Sequence, residues 1–420
     1  MLANRRIAAS LTNSGTRSAR AVAVAPARAR AVATVLAVTV ASALAATAPA
    51  PPAQAALAQV RSATASTGWR VSLSVKTDPS TLMDSVDADS ASDAWAVGRT
   101  PGPFDKNGGI IEHWTGKAWH RVVPPANLLR RFDKINDAFW AVGASSARHV
   151  WVFGLDGKYL RLNGGRWTFG RLPHPGKTTM VVLSAKVFSP TDVWTFGCRA
   201  TSLDTASARC VPAAARFNGH GWTALKLPGK GVVWQVSAVG PADMWAIDGP
   251  SVIGATGSQP RVLHWNGTNW QTSPRQPKLP KGTQLTGVAA SSDANIWIGG
   301  NVVQPKTKVR EVALHWNGRS WLDKNPPSTP PRGETEMESL TPDGEGGIFE
   351  LATRIKGGAD VSTVIRHYSA GRWLAPISKN WDIVQLAEVP GTSSTWGVGL
   401  GGPASRLALG LIVLHGPAPR

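Results

Sequence analysis

The chain has 420 residues, with 45 Lys and Arg against 26 Asp and Glu, which gives a formal net charge of +19. It has 19 tryptophans but only two cysteines and two tyrosines, and no catalytic, metal or cofactor signature occurs in it. The positive charge favours anionic polymers as partners, but no basic run interleaved with aromatic residues points to specific recognition of nucleic acid.

Residues 1–55 have the pattern of a secretory signal peptide. An apolar run over residues 31–46 is followed by the small residues Ala53 and Ala55 at the positions where cleavage would occur. The run is short and alanine-rich for a membrane span, and a retained anchor is the alternative. Six arginines precede the run: Arg5, Arg6, Arg17, Arg20, Arg28 and Arg30. Cleavage would remove these six charges and no acid, so the mature chain would be secreted, span no membrane and keep +13 of the +19.

The rest of the chain, after a short linker at residues 56–67, is built from a repeated unit. Residues 295–321 read NIWIGG, a polar loop, and then EVALHWNGRSW. Short apolar runs bounded by Gly, Asn and charged residues indicate strands, and Asn317-Gly318 indicates a tight turn before the strand that begins at Trp321. One more strand, at residues 285–291, precedes the unit, which gives four strands per repeat.

Regularly spaced aromatic residues mark seven such repeats. The second strands carry the blade marks Trp95, Trp151, Trp194, Trp245, Trp297, Phe349 and Trp396. A turn glycine follows each third strand, at Gly116, Gly164, Gly219, Gly267, Gly318, Gly371 and Gly416. Outer-strand tryptophans follow the first six of these turns and are absent from the seventh: Trp119, Trp167, Trp222, Trp270, Trp321 and Trp373.

The missing outer strand stands at the other end of the chain. The segment Gly68-Trp69-Arg70 opens an unpaired copy of that strand, while the seventh repeat stops at His415-Gly416. We therefore predict an all-β, seven-bladed β-propeller of four-stranded blades over residues 68–420. Its ring is closed by the N-terminal strand, which completes the C-terminal blade.

The two cysteines flank a loop within the third repeat. In an exported chain, Cys198 and Cys210 are expected to form a disulfide, because no other thiol is available to either of them. Their spacing does not match a redox C-x-x-C motif, so we interpret this bond as structural.

The repeat resembles a known family. The strand Trp297–Gly300, which ends in Gly-Gly, resembles the kelch-type repeat of galactose-oxidase-like propellers. The pattern D-x-W-x-x-G followed by H-W-N-G-x-x-W is similar to that of secreted, Trp-rich bacterial propellers, over about residues 68–420. Most members of that family have no assigned function, so the resemblance implies a fold and an extracellular location rather than an activity.

Enzymes of related propeller families need residues that this chain lacks. A radical-copper oxidase uses two tyrosines and a cysteine joined to one of them, whereas only Tyr159 and Tyr368 occur here and Tyr368 fills the H-W position. The turns SPTDVW and SSDANIW resemble the Asp-box of sialidases, but the glycine of that motif is missing. We therefore expect no metal ion and no cofactor.

The histidines of the third strands have a structural explanation. They hold the same place in different blades, so a closed ring keeps them apart and they cannot converge on one ion. We expect each to be packed and hydrogen-bonded in its own blade. These histidines are His113, His264, His315, His367 and His415.

The innermost strands suggest a ligand site. The tenth residue before each blade mark is mostly small and the ninth is always apolar, whereas the eleventh varies from blade to blade. The eleventh residues are Asp84, Trp140, Leu183, Trp234, Thr286, Glu338 and Gln385. Tryptophan faces with carboxylate, amide and hydroxyl groups suit a saccharide, so all of these except Leu183 are our candidate ligand-binding residues. The alternative is that these residues bind no ligand and are ordinary residues at the mouth of the channel that differ only in their packing.

Three functions stay open. The first is a monomeric, non-catalytic extracellular binding or scaffold propeller for an anionic polysaccharide, a cell-wall polymer or a protein. The second is a carbohydrate-active enzyme, a glycoside hydrolase or lyase, with its site at the channel mouth. The third is an envelope assembly partner tethered by an uncleaved leader. The acidic residues of the sixth repeat, between Glu334 and Glu350, are interpreted as a solvated turn.

Overall fold

The computed structural model describes the chain in thirteen segments: residues 68–75, 81–100, 109–132, 139–174, 176–201, 210–229, 231–249, 259–303, 309–327, 334–356, 359–379, 381–401 and 409–417. The predicted signal peptide and linker lie outside these residues. One short helix, α1 (Ala126–Leu129), and a 3-10 turn at Arg130–Phe132 connect the first two blades. All other regular elements are strands.

The strands form seven antiparallel sheets, the blades of a β-propeller, as predicted. Blade 1 contains β2 (Leu82–Ser90), β3 (Asp93–Arg99), β4 (Gly109–Trp114) and β5 (Trp119–Arg121). Blade 2 contains β6 (Phe139–Ser146), β7 (His149–Gly154), β8 (Lys158–Asn163) and β9 (Arg166–Arg171). Blade 3 contains β10 (Thr179–Ser189), β11 (Asp192–Ala200), β12 (Val211–Phe217) and β13 (Trp222–Lys226). Blade 4 contains β14 (Val232–Gly240), β15 (Asp243–Gly249), β16 (Arg261–Trp265) and β17 (Trp270–Thr272).

The last three blades complete the ring. Blade 5 contains β18 (Thr283–Ser292), β19 (Asn295–Val302), β20 (Arg310–Trp316) and β21 (Trp321–Asp323). Blade 6 contains β22 (Glu334–Pro342), β23 (Ile348–Lys356), β24 (Ala359–Ser369), β25 (Arg372–Trp373) and β26 (Ile377–Lys379). Blade 7 contains β27 (Trp381–Glu388), β28 (Thr395–Gly401), β29 (Leu409–His415) and β1 (Arg70–Val75).

Blade 6 departs from the four-strand prediction at its outer edge. Both β25 and β26 pair with the same edge of β24, one at each end. Pro376 lies between them. Because proline has no N–H to donate, it interrupts the ladder and splits the fourth strand into two pieces.

The ring is closed as predicted. Strand β1 pairs antiparallel with β29, with Arg70 opposite Leu414 and Val75 opposite Gly410. The Arg70 guanidinium also donates to the carbonyl of Gly416. The two ends of the described chain are therefore held in one sheet, which removes the open edges that an unclosed ring would have.

The first strand of every blade lies innermost, beside the central channel, and all seven run in the same direction. We call the side of the ring at which these strands begin the start face and the opposite side the end face. The ninth-position residues are buried between blades, as the apolar pattern predicted: Val142, for example, packs on Trp95 and Val97 of blade 1. Large aromatic residues at these contacts supply most of the core.

Three side chains repeat in several blades and explain the predicted motif. In blade 1, Asp93 accepts hydrogen bonds from Trp95 Nε1 (3.1 Å) and from His113 Nε2 (2.6 Å). The His113 ring stacks on Trp95 with centroids 4.0 Å apart. Matching carboxylate or amide to histidine bonds occur at Asp243–His264, Asn295–His315 and Asp343–His367. These four histidines are packed and hydrogen-bonded, as the repeat predicted. The fifth, His415, packs on Trp69 and Phe349, but its Nδ1 has no hydrogen-bond partner among the described residues.

Blade 3 keeps this arrangement with a different base. Arg216 takes the place of the histidine, bonds both carboxylate oxygens of Asp192 at 2.8 and 3.1 Å, and lies over the Trp194 ring. An arginine can replace the histidine because it too offers planar donors and stacks on an aromatic face.

The predicted turns and the disulfide are also confirmed. All seven turn glycines have positive φ, for example +84° at Gly116 and +87° at Gly318, a conformation that other residues adopt at a cost. Cys198 and Cys210 form a disulfide with Cα atoms 5.3 Å apart, next to strands β11 and β12. Among the described residues, no helix is long and apolar enough to cross a membrane.

Trp69 provides a test of the closure. Its ring is 5% exposed and packs on Phe349 of blade 6 and on His415, with centroids 5.7 and 5.3 Å away. Replacing Trp69 by alanine should therefore lower the free energy of unfolding by about 3–5 kcal/mol, measured by urea denaturation. The control Val71→Ala, in the same strand but 44% exposed, should change it by less than about 0.5 kcal/mol. Equal effects of the two changes would contradict the closure.

Candidate functional site

The candidate residues lie close to the start face, in the first half of each innermost strand. Asp84, Trp140, Trp234, Thr286 and Glu338 each occupy the position where the pairing with the second strand shifts by one residue, a β-bulge. Leu183 occupies the same position in blade 3. We call these residues, with their counterpart in blade 7, the bulge ring. All of them are buried.

Gln385 lies one layer deeper than the sequence alignment placed it. In blade 7 the bulge residue is Val384, because the connection from β27 to β28 is one residue longer than in other blades. The amide of Gln385 accepts from Val86 N–H (2.9 Å) and donates to Val86 C=O (3.2 Å), in blade 1. The structure therefore places Gln385 across the seam between blades 7 and 1.

Blades 1 and 2 join a carboxylate, a cation and an aromatic ring at the bulge ring. Arg99 Nε is 3.6 Å from Asp84 Oδ2, and the Arg99 guanidinium carbon is 5.8 Å from the centroid of Trp140. Arg99 keeps partial exposure, whereas the Asp84 side chain is fully buried. Arg99, a partly exposed cation, therefore lies between a buried carboxylate and an indole.

Blades 2, 3 and 4 make the bulge ring apolar. Trp140, Leu183 and Trp234 belong to one buried cluster, which also contains Cys198 with partly buried Cys210 at its edge. The disulfide therefore ties the β11–β12 hairpin to the two tryptophans. On the opposite side, Thr286 Oγ1 donates to the carbonyl of Met337 at 3.0 Å, and Glu338 is buried beside it in blade 6.

A second polar layer lies nearer to the end face. The residue opposite each blade mark is small or hydroxylated in most blades, but it is Asp87 in blade 1 and Lys186 in blade 3. Both are fully buried, and the amine of Lys186 has no hydrogen-bond partner among the described residues. Burial raises the pKa of Asp87 to about 7, although the N–H of Ala144 and the charge of Lys186 lower it.

The lysine is perturbed in the opposite direction. Burial lowers the pKa of Lys186 to about 7, against the charges of Asp87 and Glu388, which raise it. Burial and the nearby Asp343 both raise the pKa of Glu388. Lys186 therefore interacts electrostatically with acids of blades 1 and 7, although its amine donates no hydrogen bond among the described residues.

Sequence reasoning missed this layer, although a signal for it existed. The eighth residues before the blade marks are Asp87, Gly143, Lys186, Ser237, Ala289, Thr341 and Glu388. Charged residues among small ones mark this column, although the longer connection in blade 7 places Glu388 one residue beyond the layer, opposite Thr395. Groups of three or more possible metal ligands do not occur among the described residues.

The sequence predicted a solvated turn for the acidic residues of the sixth repeat, but the structure buries several of them. Asp343 is buried, and its carboxylate accepts from the N–H groups of Glu345 and Gly347, both at 2.8 Å. Glu350 is fully buried and paired with Arg366, which also reaches Glu311 of blade 5 at 3.2 Å. The partner that makes this burial of charge possible is Arg366, on the neighbouring strand of the same blade.

Comparisons with known proteins agree on the fold. No known family model matches the chain, and no curated protein sequence matches it. The structure of YCF48 bound to D1 peptide has a TM-score of 0.51 and 13% identity, over 83% of this chain and 96% of that one. The PL25 ulvan lyase, a polysaccharide lyase, has a TM-score of 0.51 and 10% identity, over 82% and 94%. The WD40 repeats of RRP9 have a TM-score of 0.50 and 9% identity, over 84% and 98%.

Asp89, at the end-face mouth of the channel, gives a test of the electrostatics. Burial and, after it, the charge of Asp93 raise its pKa to about 8. A carboxyl with a raised folded-state pKa stabilises the fold while it is protonated, and this contribution is lost as pH rises from about 4 to about 8. Asp89→Asn should therefore raise the urea midpoint at pH 8 and leave it nearly unchanged at pH 4. The exposed Asp293→Asn should show no such pH dependence, and equal shifts at both pH values for Asp89→Asn would contradict the burial.

Proposed function

We propose that this protein is a non-catalytic extracellular propeller that binds a polysaccharide, a cell-wall polymer or a protein on its start face. One observation carries the proposal: the bulge ring has unlike chemistry in different blades, whereas the scaffold positions around it repeat. Positions that hold the ring together are alike because every blade meets the same neighbours. A layer that the scaffold leaves free to vary, where loops from all blades meet, is the usual place for a ligand.

The site would consist of an apolar wall and a polar arc. The wall is the Trp140, Leu183 and Trp234 cluster, which the disulfide stiffens. The arc is Asp84 with Arg99, and Thr286 and Glu338 on the other side of the ring. Hydroxyl groups of a sugar suit the arc and its CH surfaces suit the wall. Gln385 would support the site from the layer below.

We further propose that the chain belongs to the secreted, Trp-rich, kelch-like propellers and acts outside the cell. The disulfide between Cys198 and Cys210 supports an oxidising compartment. The signal peptide at residues 1–55 remains a sequence prediction. Structures with this fold bind a peptide in one case and a saccharide in another, so both partner classes are compatible with it.

A carbohydrate-active enzyme is the second candidate, and one observation favours it. Asp87 and Lys186 both titrate near pH 7 inside the channel, as an acid and base pair requires. In that case Lys186→Met should abolish cleavage of a polysaccharide and leave its binding unchanged. Product release, measured as new reducing ends or as unsaturated uronate absorbance, separates this candidate from a binding protein.

Binding to purified bacterial wall and to neutral and acidic polysaccharides tests the proposal, with residues 56–420 as the protein. The double variant Trp140→Ala/Trp234→Ala should lose at least about tenfold in affinity for the polymer that the wild type binds. Because both rings are buried, the near-isosteric variant Asp84→Asn/Glu338→Gln is the more selective change. Its free energy of unfolding should stay within about 1 kcal/mol of the wild type. Its affinity for the polymer should also fall by about tenfold.

The matched control removes the same two charges elsewhere. Asp323 lies exposed on the outer strand of blade 5, and Glu345 lies exposed on the end face. The variant Asp323→Asn/Glu345→Gln should bind as the wild type does. Binding that survives both bulge-ring variants, or that falls equally in the control, would show that the start face is not the site.

A further inference from the structure

Positive charge is concentrated in one part of the ring. Residues 126–226, which form blades 2 and 3 with the segments that lead into and between them, contain 14 Lys and Arg and five Asp and Glu. This excess of nine accounts for most of the +13 that remains without the leader. Blade 6, across the ring, has the opposite balance: residues 334–379 contain seven acids and five Lys and Arg.

Five cations of this region lie exposed on the start face. Arg130 and Arg131 follow α1, on the way from β5 into β6, and Lys177 precedes β10. Arg171 ends β9 and Lys226 ends β13, at the edge where the outermost strands reach the start face. We call Arg130, Arg131, Arg171, Lys177 and Lys226 the basic crescent.

None of the crescent residues is within 4.0 Å of a carboxylate that belongs to the described part of the chain. The described acids of blades 2 and 3 already form ion pairs within their own blades. Asp156 pairs with Lys158 at 3.2 Å, and Asp192 pairs with Arg216 at 2.8 Å. Exposed cations without counter-charges attract an anionic polymer and steer it towards this side of the ring.

The crescent lacks a platform for nucleic-acid bases. Proteins that hold single strands stack bases on exposed aromatic rings. On the described surface, the exposed large apolar side chains are valines and leucines only. The aromatic ring nearest to the crescent, Phe169, is covered by the guanidinium of Arg131 at 4.0 Å from its centroid. A sugar chain with acidic groups needs no stacking platform, because arginine forks bind its carboxylates directly.

We propose that the basic crescent is a docking surface for a linear acidic polysaccharide whose charge is carried by carboxylates. It lies outside the bulge ring, on the same face and over blades 2 and 3, where the ring is walled by Trp140 and Leu183. The polymer chain runs over the crescent, and the bulge ring receives one of its sugar units. This inference rests on the proposed function for its ligand class, but it assigns different residues.

Polygalacturonate is the probe that tests it, by titration calorimetry with residues 56–420 at low and moderate salt. The variant Arg130→Gln/Arg171→Gln/Lys177→Gln should weaken binding by about tenfold at low salt, because each exposed ion pair contributes a fraction of a kcal/mol. It should also flatten the dependence of affinity on salt concentration. Arg131 is left in place because it covers Phe169.

The matched control removes three exposed cations from the end face of neighbouring blades. Lys117, Arg148 and Arg166 lie in or beside the turns on that side. Their triple glutamine variant has the same net charge as the crescent variant and should bind within about twofold of the wild type. Equal losses in the two variants would overturn the crescent, because binding would then depend on net charge alone.

Two further binding measurements distinguish a failure of the crescent proposal from a failure of the proposed function. Wild-type binding to a neutral polysaccharide without binding to polygalacturonate would leave the proposed function intact and overturn only the crescent. Binding to no polysaccharide at all would overturn both. Single-stranded DNA, tested at the same salt, should bind more weakly than polygalacturonate, and tighter binding of the DNA would overturn the choice of a sugar polymer.

Discussion

The ring depends on how its innermost strands satisfy their free edges. A strand at the edge of a sheet presents N–H groups that have no partner in its own sheet, and these strands are buried. Side chains of the preceding blade accept these bonds in a repeated pattern. The bonds are Val86 N–H to Gln385, Val142 N–H to Ser85, Ala144 N–H to Asp87, Val288 N–H to Gln235 and Ala290 N–H to Ser237. The first of them crosses the seam at which the two ends of the described chain meet.

This constraint explains why a charged residue is tolerated beside the channel. Asp87 has two tasks, because one oxygen accepts from Ala144 at 2.8 Å while its charge faces Lys186. Gly143, opposite the mark of blade 2, packs against blade 3, since a Cβ there would lie 2.6 Å from Val187 Cγ2, whereas it would keep an ordinary 3.7 Å from Asp87. The charged layer is thus built into the scaffold. The basic crescent is exposed on the start face, and the bulge ring lies on the same side of the ring but is buried.

Much of the fold could be predicted because one structural unit is written seven times. In blade 1 the Asp, Trp and His contact one another within about twenty residues, and the same or similar residues recur in several other blades, so their spacing in sequence marks a blade. The channel could not be read in this way, because its layers are set by contacts between distant blades. One extra residue in blade 7 was enough to shift Gln385 by a layer. Glu350 is buried opposite Arg366 of the neighbouring strand, and Arg366 also pairs with Glu311 of blade 5, a contact between blades that local sequence does not reveal.

Amide hydrogen exchange in a Ser237→Ala variant tests the edge bonds most directly. Ser237 is buried, and its hydroxyl accepts the N–H of Ala290 at 2.9 Å across the blade 4–5 boundary. The account predicts that the Ala290 amide exchanges at least about tenfold faster in the variant, since a lost bond of about 1.4 kcal/mol corresponds to that factor. The Val288 amide, held by Gln235, should keep its wild-type rate. An unchanged rate at Ala290 would contradict the claim that side chains of one blade secure the inner edge of the next.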